Sequence, residues 1–131
     1  MTDIKVCLIS SGLIKVPPRY GGAVERYVYY TSKSLGTLGV EADVIDAKYS
    51  AKDPDEERMM PRIIRLRRYA IFSSSILSEL AFGLAVKRTS IFREYDIIHA
   101  NTSIPGFFVV RHKHRGERPF IYTCHRSSWA L

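Results

Sequence analysis

The chain has 131 residues, of which 46% are hydrophobic, so it is long and apolar enough to fold around one core and is not a disordered segment. Lys and Arg total 20 against 13 Asp and Glu, a formal charge of +7. That balance is compatible with an anionic partner, and equally with solubility alone. The two cysteines, Cys7 and Cys124, exclude a disulfide framework; each sits in an apolar run and is expected to be a small core residue in a reducing, cytoplasmic setting. Asp3 and Lys5 interrupt any apolar start, so no signal peptide is expected. The run from Tyr69 to Val86 carries four serines and Glu79 and falls short of a spanning helix.

The first element is a strand over Ile4 to Ile9, nearly continuous in apolar character, as in a parallel sheet covered on both faces. A loop with Pro17 and Pro18 follows, and Gly21 and Gly22 stand directly before a helix predicted to run to about Leu38. Val24, Val28, Thr31 and Leu35 share one face of that helix, and Gly39 suits its C-terminal turn. A strand, a glycine-bearing loop and a helix N-terminus form an arrangement suited to phosphate: the first helical N–H groups lack partners, and glycine allows close approach. Glu25 falls in the first turn, either as a surface acid favoured by the helix dipole or as a site residue.

A second strand is predicted over Glu41 to Ile45, closed by Asp46. An acid there would bind ribose in a dinucleotide fold, but the first loop is not G-x-G-x-x-G and NAD is not assigned. Asp53 to Arg58 reads as a solvated loop, and Arg62 to Arg67 as a third strand near an edge. Arg65, Arg67 and Arg68 form a basic cluster suited to anionic lipid or to water. A helix capped by Ser73 or Ser74 is expected to reach Phe92, with Ile76, Leu80, Leu84 and Lys87 on one stripe, widened by Leu77, Ala81 and Val86. The stripe suits a core-packed crossover helix better than an amphipathic membrane helix.

Tyr95 to Ala100 is the fourth predicted strand, followed by a polar loop through Asn101, Thr102, Ser103, Pro105 and Gly106. A helix is predicted from Gly106 to His114; His112 and His114 lack partners at ligand spacing and read as solvated basic residues, not metal ligands. His99 reads as a core histidine. Pro119 to Cys124 is the fifth strand, with His125 and Arg126 just beyond it. The alternation predicts an α/β fold: a Rossmann-like doubly wound parallel sheet with helices on both faces. The Gly21-Gly22 loop, the Asn101-Thr102-Ser103 loop and His125 with Arg126 converge at its switch point.

Three stretches also carry a resemblance. Pro18, Gly21, Gly22 and Glu25 at the helix start, then YDIIHANTS, then FIYTCHRSSW, resemble in order the N-terminal domain of GT-B glycosyltransferases of family 4. The resemblance implies a retaining transferase that moves a sugar from a nucleotide-sugar donor to a sugar or lipid-linked acceptor, with no metal and no cofactor. It implies that the N–H groups of Gly21 and Gly22 meet the donor diphosphate and that His125 lies beside the transferred sugar as the catalytic residue. Asn101, Thr102, Arg19 and Tyr20 would face the acceptor. The 131 residues would form one incomplete, acceptor-side domain, inactive alone, whose C-terminal donor-binding domain is absent. A cytoplasmic position, with a peripheral contact at the inner face of the membrane, is compatible with lipid-linked acceptors. The competing readings are a non-catalytic nucleotide- or sugar-phosphate-binding module, which would not need His125, and a basic interaction domain. No nucleic-acid motif accompanies the arginine cluster, so nucleic acid is not an expected partner.

Overall fold

A computed structural model describes residues 3–49, 61–67, 74–111 and 118–125. In chain order the elements are β1 (Lys5–Ile9), α1 (Ala23–Thr37), β2 (Glu41–Ala47), β3 (Ile63–Leu66), α2 (Ser75–Arg88), a 3-10 turn (Ile91–Glu94), β4 (Ile97–Ala100), α3 (Ser103–Val110) and β5 (Phe120–Tyr122). The strands pair in the order β3-β2-β1-β4-β5, all parallel. This is the expected α/β Rossmann-like sheet. Its order reverses between β1 and β4, and the loops leaving those two strands part there.

Alternation along the strands supplies two apolar layers. Val6 and Leu8 of β1, with Ala42 and Val44 of β2, meet Val28 of α1. Cys7 and Ile9, with Ile45 and Ile98, meet Phe82 and Val86 of α2 and Val109 of α3 on the other face. The α2–α3 contact is close because Gly83 has no side chain: a Cβ there would lie 2.3 Å from the Phe108 ring. The end of α1 is fixed by Gly39 at φ +79°, whose N–H bonds to Gly36 O while Val40 N–H bonds to Leu35 O.

Several expectations need correction. The stripe predicted to pack α2 on the core points outward. Ile76, Leu77, Leu80 and Leu84 are exposed, and the buried side is Phe82, Gly83 and Val86. Both sides of the helix are apolar, so periodicity alone did not say which faces the sheet. The helix ends at Arg88 instead of Phe92, and Phe92 enters the core from the separate 3-10 turn. Helix α3 starts at Ser103, not Gly106; Pro105 is accommodated in its first turn, where a missing N–H costs nothing. Cys7 is buried as expected, but Cys124 is exposed because β5 ends at Tyr122. Ser74 caps α2 weakly, its Oγ accepting from Leu77 N–H at 3.5 Å. Asp53 to Arg58, Arg68, Ser73, His112, His114 and Arg126 lie outside the described residues.

Candidate functional site

The loop from β1 to α1 is built on buried polar contacts. Ser10 N–H donates to Ile45 O at 3.0 Å, and Ser10 Oγ donates to Asp46 Oδ1 at 2.6 Å. Asp46 also accepts from Val16 N–H at 2.9 Å and from Arg65 Nη1, while Arg65 Nη2 donates to Val16 O at 2.6 Å. Burial pushes the Asp46 carboxyl up, against the bonds from Ser10 and Val16 and the charge of Arg65. Asp46 therefore ties the loop to β2 and β3 and has no ribose-binding role to fill. Arg65 of the basic cluster is likewise engaged with this loop.

Gly21 and Gly22 take φ of +62° and +78°, and Gly22 is the N-cap of α1 without any side-chain cap. The left-handed backbone is what calls for glycine at this turn. Glu25, only 3% exposed, is not a surface acid: it accepts a hydrogen bond from Ser11 Oγ. Its Oε2 would lie 2.7 Å from a Cβ at Gly22. A carboxylate thus already occupies ground close to the positive end of α1, where the dipole favours it. Arg19 and Tyr20 stand on the exposed side of the same loop.

Across the switch point, Asn101 is buried at the end of β4. Its Nδ2 donates to Ile9 O at 3.1 Å and lies 3.4 Å from His99 O. Two carbonyl neighbours fix which end of the amide is nitrogen, so Oδ1 must be an acceptor. His125 Nε2 lies 3.1 Å from that Oδ1 and therefore donates to it. In the neutral ring this leaves Nδ1 as an acceptor. His99 Nε2 lies 2.6 Å from Thr123 Oγ1, and burial, followed by the charge of His125, holds its pKa below the ordinary value. Tyr27 of α1 sets its ring edgewise against His125, centroids 4.5 Å apart, and against His99 at 6.3 Å. Thr102 is the N-cap of α3, and its buried Oγ1 has no hydrogen-bond partner among the described residues.

The structure thus joins Asn101 to His125 directly and sets α1 beside them through Tyr27. Sequence reasoning missed Tyr27, which its position one turn into α1 could have flagged. Thr123, two residues before His125, lay within the FIYTCHRSSW stretch but was not named as a site residue. Beyond α3, Ser103, Gly106, Phe107, Phe120, Tyr122 and Cys124 line an open, mostly apolar pocket of about 450 Å³.

Strand order and the left-handed glycine turn into α1 make this a Rossmann-like domain, with a polar cluster over β1, β4 and β5 at its switch point. The sequence model of Glycosyltransferase Family 4 matches residues 20–130, and the chain belongs to that family. It therefore carries a domain of glycosyltransferase type. A search among curated proteins finds no match.

Proposed function

We propose that this chain is the N-terminal, acceptor-side domain of a retaining glycosyltransferase that uses a nucleotide-sugar donor. The observation that carries this reading is the Asn101–His125 pair at 3.1 Å, above the carboxyl ends of the sheet. The amide of Asn101, held by Ile9 O, orients the imidazole of His125 and leaves its Nδ1 free to accept from a sugar hydroxyl. The exposed position of His125 supports access from the crevice.

The backbone N–H groups at Gly21 and Gly22 would meet the donor diphosphate, with the helix dipole offsetting charge on the leaving group. The carboxylate of Glu25 beside Gly22 opposes that charge, so the donor phosphates would sit outward of it, toward Gly21. In front-face transfer the leaving phosphate accepts the proton of the acceptor hydroxyl while the new glycosidic bond forms on the face it departs. Arg19, Tyr20 and Thr102, at the rim of the crevice, would face a sugar or lipid-linked acceptor.

Transfer assays with a panel of nucleotide sugars test this reading, using the chain alone and the chain joined to a family donor-binding domain. Transfer confined to the joined protein supports it. Nucleotide binding by the chain without transfer in either form would instead make it a non-catalytic binding module.

A further inference from the structure

Helix α1 buries Val28 and Ser32 against the sheet and presents a different row of side chains outward. Tyr27, Tyr30, Ser34 and Leu38 follow one another at spacings of three and four residues, so they lie along one side of the helix and its C-cap. Tyr27 is 39% exposed, Tyr30 61% and Leu38 78%. With Arg26 and half-buried Thr31 they line an open groove of about 450 Å³. From Tyr27 to Leu38 the row covers about 16 Å at the helical rise, longer than a single sugar ring. The groove begins at the polar cluster over the sheet: Tyr27, at its upper end, is the residue whose ring stands edgewise to His125, centroids 4.5 Å apart.

We infer that this groove is a binding site for an oligosaccharide, whose end sugar reaches His125 while the following sugars lie along α1. The lining selects this occupant. It sets two tyrosine rings beside the hydroxyls of Thr31 and Ser34 and the guanidinium of Arg26. A pyranose has the same two kinds of surface. Its C–H faces carry partial positive charge and stack on the negative face of an aromatic ring, and its rim of hydroxyls both donates and accepts hydrogen bonds. A purely apolar partner would leave Thr31, Ser34 and Arg26 without hydrogen bonds where they are covered. Tyr30 would carry the stacking, and the hydroxyls and Arg26 would hold the sugar rims. As the place of the acceptor's outer sugars, the groove rests on the transferase reading; as a saccharide site it is measured without it.

NMR titration of the isotope-labelled chain with cellotetraose, maltotetraose, chitotetraose and glucose tests this with no nucleotide sugar present. At least one tetrasaccharide should shift the amide signals of Tyr27, Tyr30 and Ser34 to saturation, and glucose should bind far more weakly. Tyr30→Ala removes a stacking ring, and Ser34→Leu removes a hydroxyl and fills the groove. Both positions are exposed, so each variant should keep the far-UV circular dichroism of the fold and weaken tetrasaccharide binding roughly fivefold or more. Tetrasaccharide binding without transfer by the joined protein would keep the groove and remove the transferase reading; transfer without tetrasaccharide binding would do the reverse. The inference is overturned if no tetrasaccharide binds the wild-type chain, if neither folded variant loses binding, or if glucose binds as tightly. It is overturned too if sedimentation equilibrium shows self-association that Tyr30→Ala abolishes, since the row would then serve a second copy.

Discussion

Asp46 and Arg65 form a buried ion pair, with the carboxylate fully enclosed and the guanidinium side chain mostly so. Removing one partner strands the other. Arg65→Met is expected to destabilise the fold by roughly 3–5 kcal/mol in urea unfolding, and Asp46→Leu/Arg65→Met should not recover it, because Ser10 Oγ and the Val16 N–H then lose their buried acceptor. His99 gives a second residue-level expectation. Its pKa is depressed below 6.5, first by burial and then by His125. Between the folded value and 6.5 the unfolded chain binds more protons than the folded one, so stability rises with pH across that window and levels off above it. Acidification below 6.5 should therefore lower Tm, and His99→Gln should flatten that part of the profile. An NMR titration of the His99 ring should find its midpoint below 6.5. Asp46 and Arg65 were both visible as an acid ending a strand and a basic cluster. Their partnership was not, because it depends on the register that sets β3 beside β2.

At the scale of elements, the turn into α1 rests on Gly22. Alanine there would adopt φ near +78° and set its Cβ against the Glu25 carboxylate. Gly22→Ala is expected to cost about 1–2 kcal/mol, read as a lower midpoint in thermal unfolding. Helix α2 rests on Phe82, which fills the space under the loop after β1: a Cβ on Gly12 would lie 2.3 Å from its ring. Phe82→Ala should cost about 3–5 kcal/mol, whereas Leu84→Ser on the outward face should leave stability within about 0.5 kcal/mol. The same helix shows where sequence patterning stopped. Its existence followed from the need for a crossover between parallel strands. Its orientation did not, because residues on both sides are apolar and burial against α3 was decided by the small Gly83. Helix α3 was placed too late for a related reason. Pro105 and Gly106 read as a loop, although proline is tolerated in a first helical turn.

For the whole molecule, the doubly wound sheet was legible because each strand is a short apolar run separated by a helix or a polar loop. The convergence of Asn101 and His125 followed from that topology alone, since both leave carboxyl ends of strands beside the switch point. The contacts of Tyr27 with His125 and of Thr123 with His99 were not legible, because they form across elements. The domain also leaves Ile121 and Tyr122 exposed along β5, the edge strand opposite β3. The arrangement sets the proposed site at one end of the sheet and an apolar helical surface on one of its faces.

In the proposed transferase, His125, oriented by Asn101, acts on the transferred sugar. The measurement that tests it is kcat/KM for sugar transfer by the protein joined to its donor-binding domain, compared among wild type, His125→Ala and Asn101→Ala. His125→Ala is expected to lose roughly a hundredfold or more. Asn101→Ala should lose less, with the loss in kcat. Wild-type turnover in His125→Ala would rule out that role for His125.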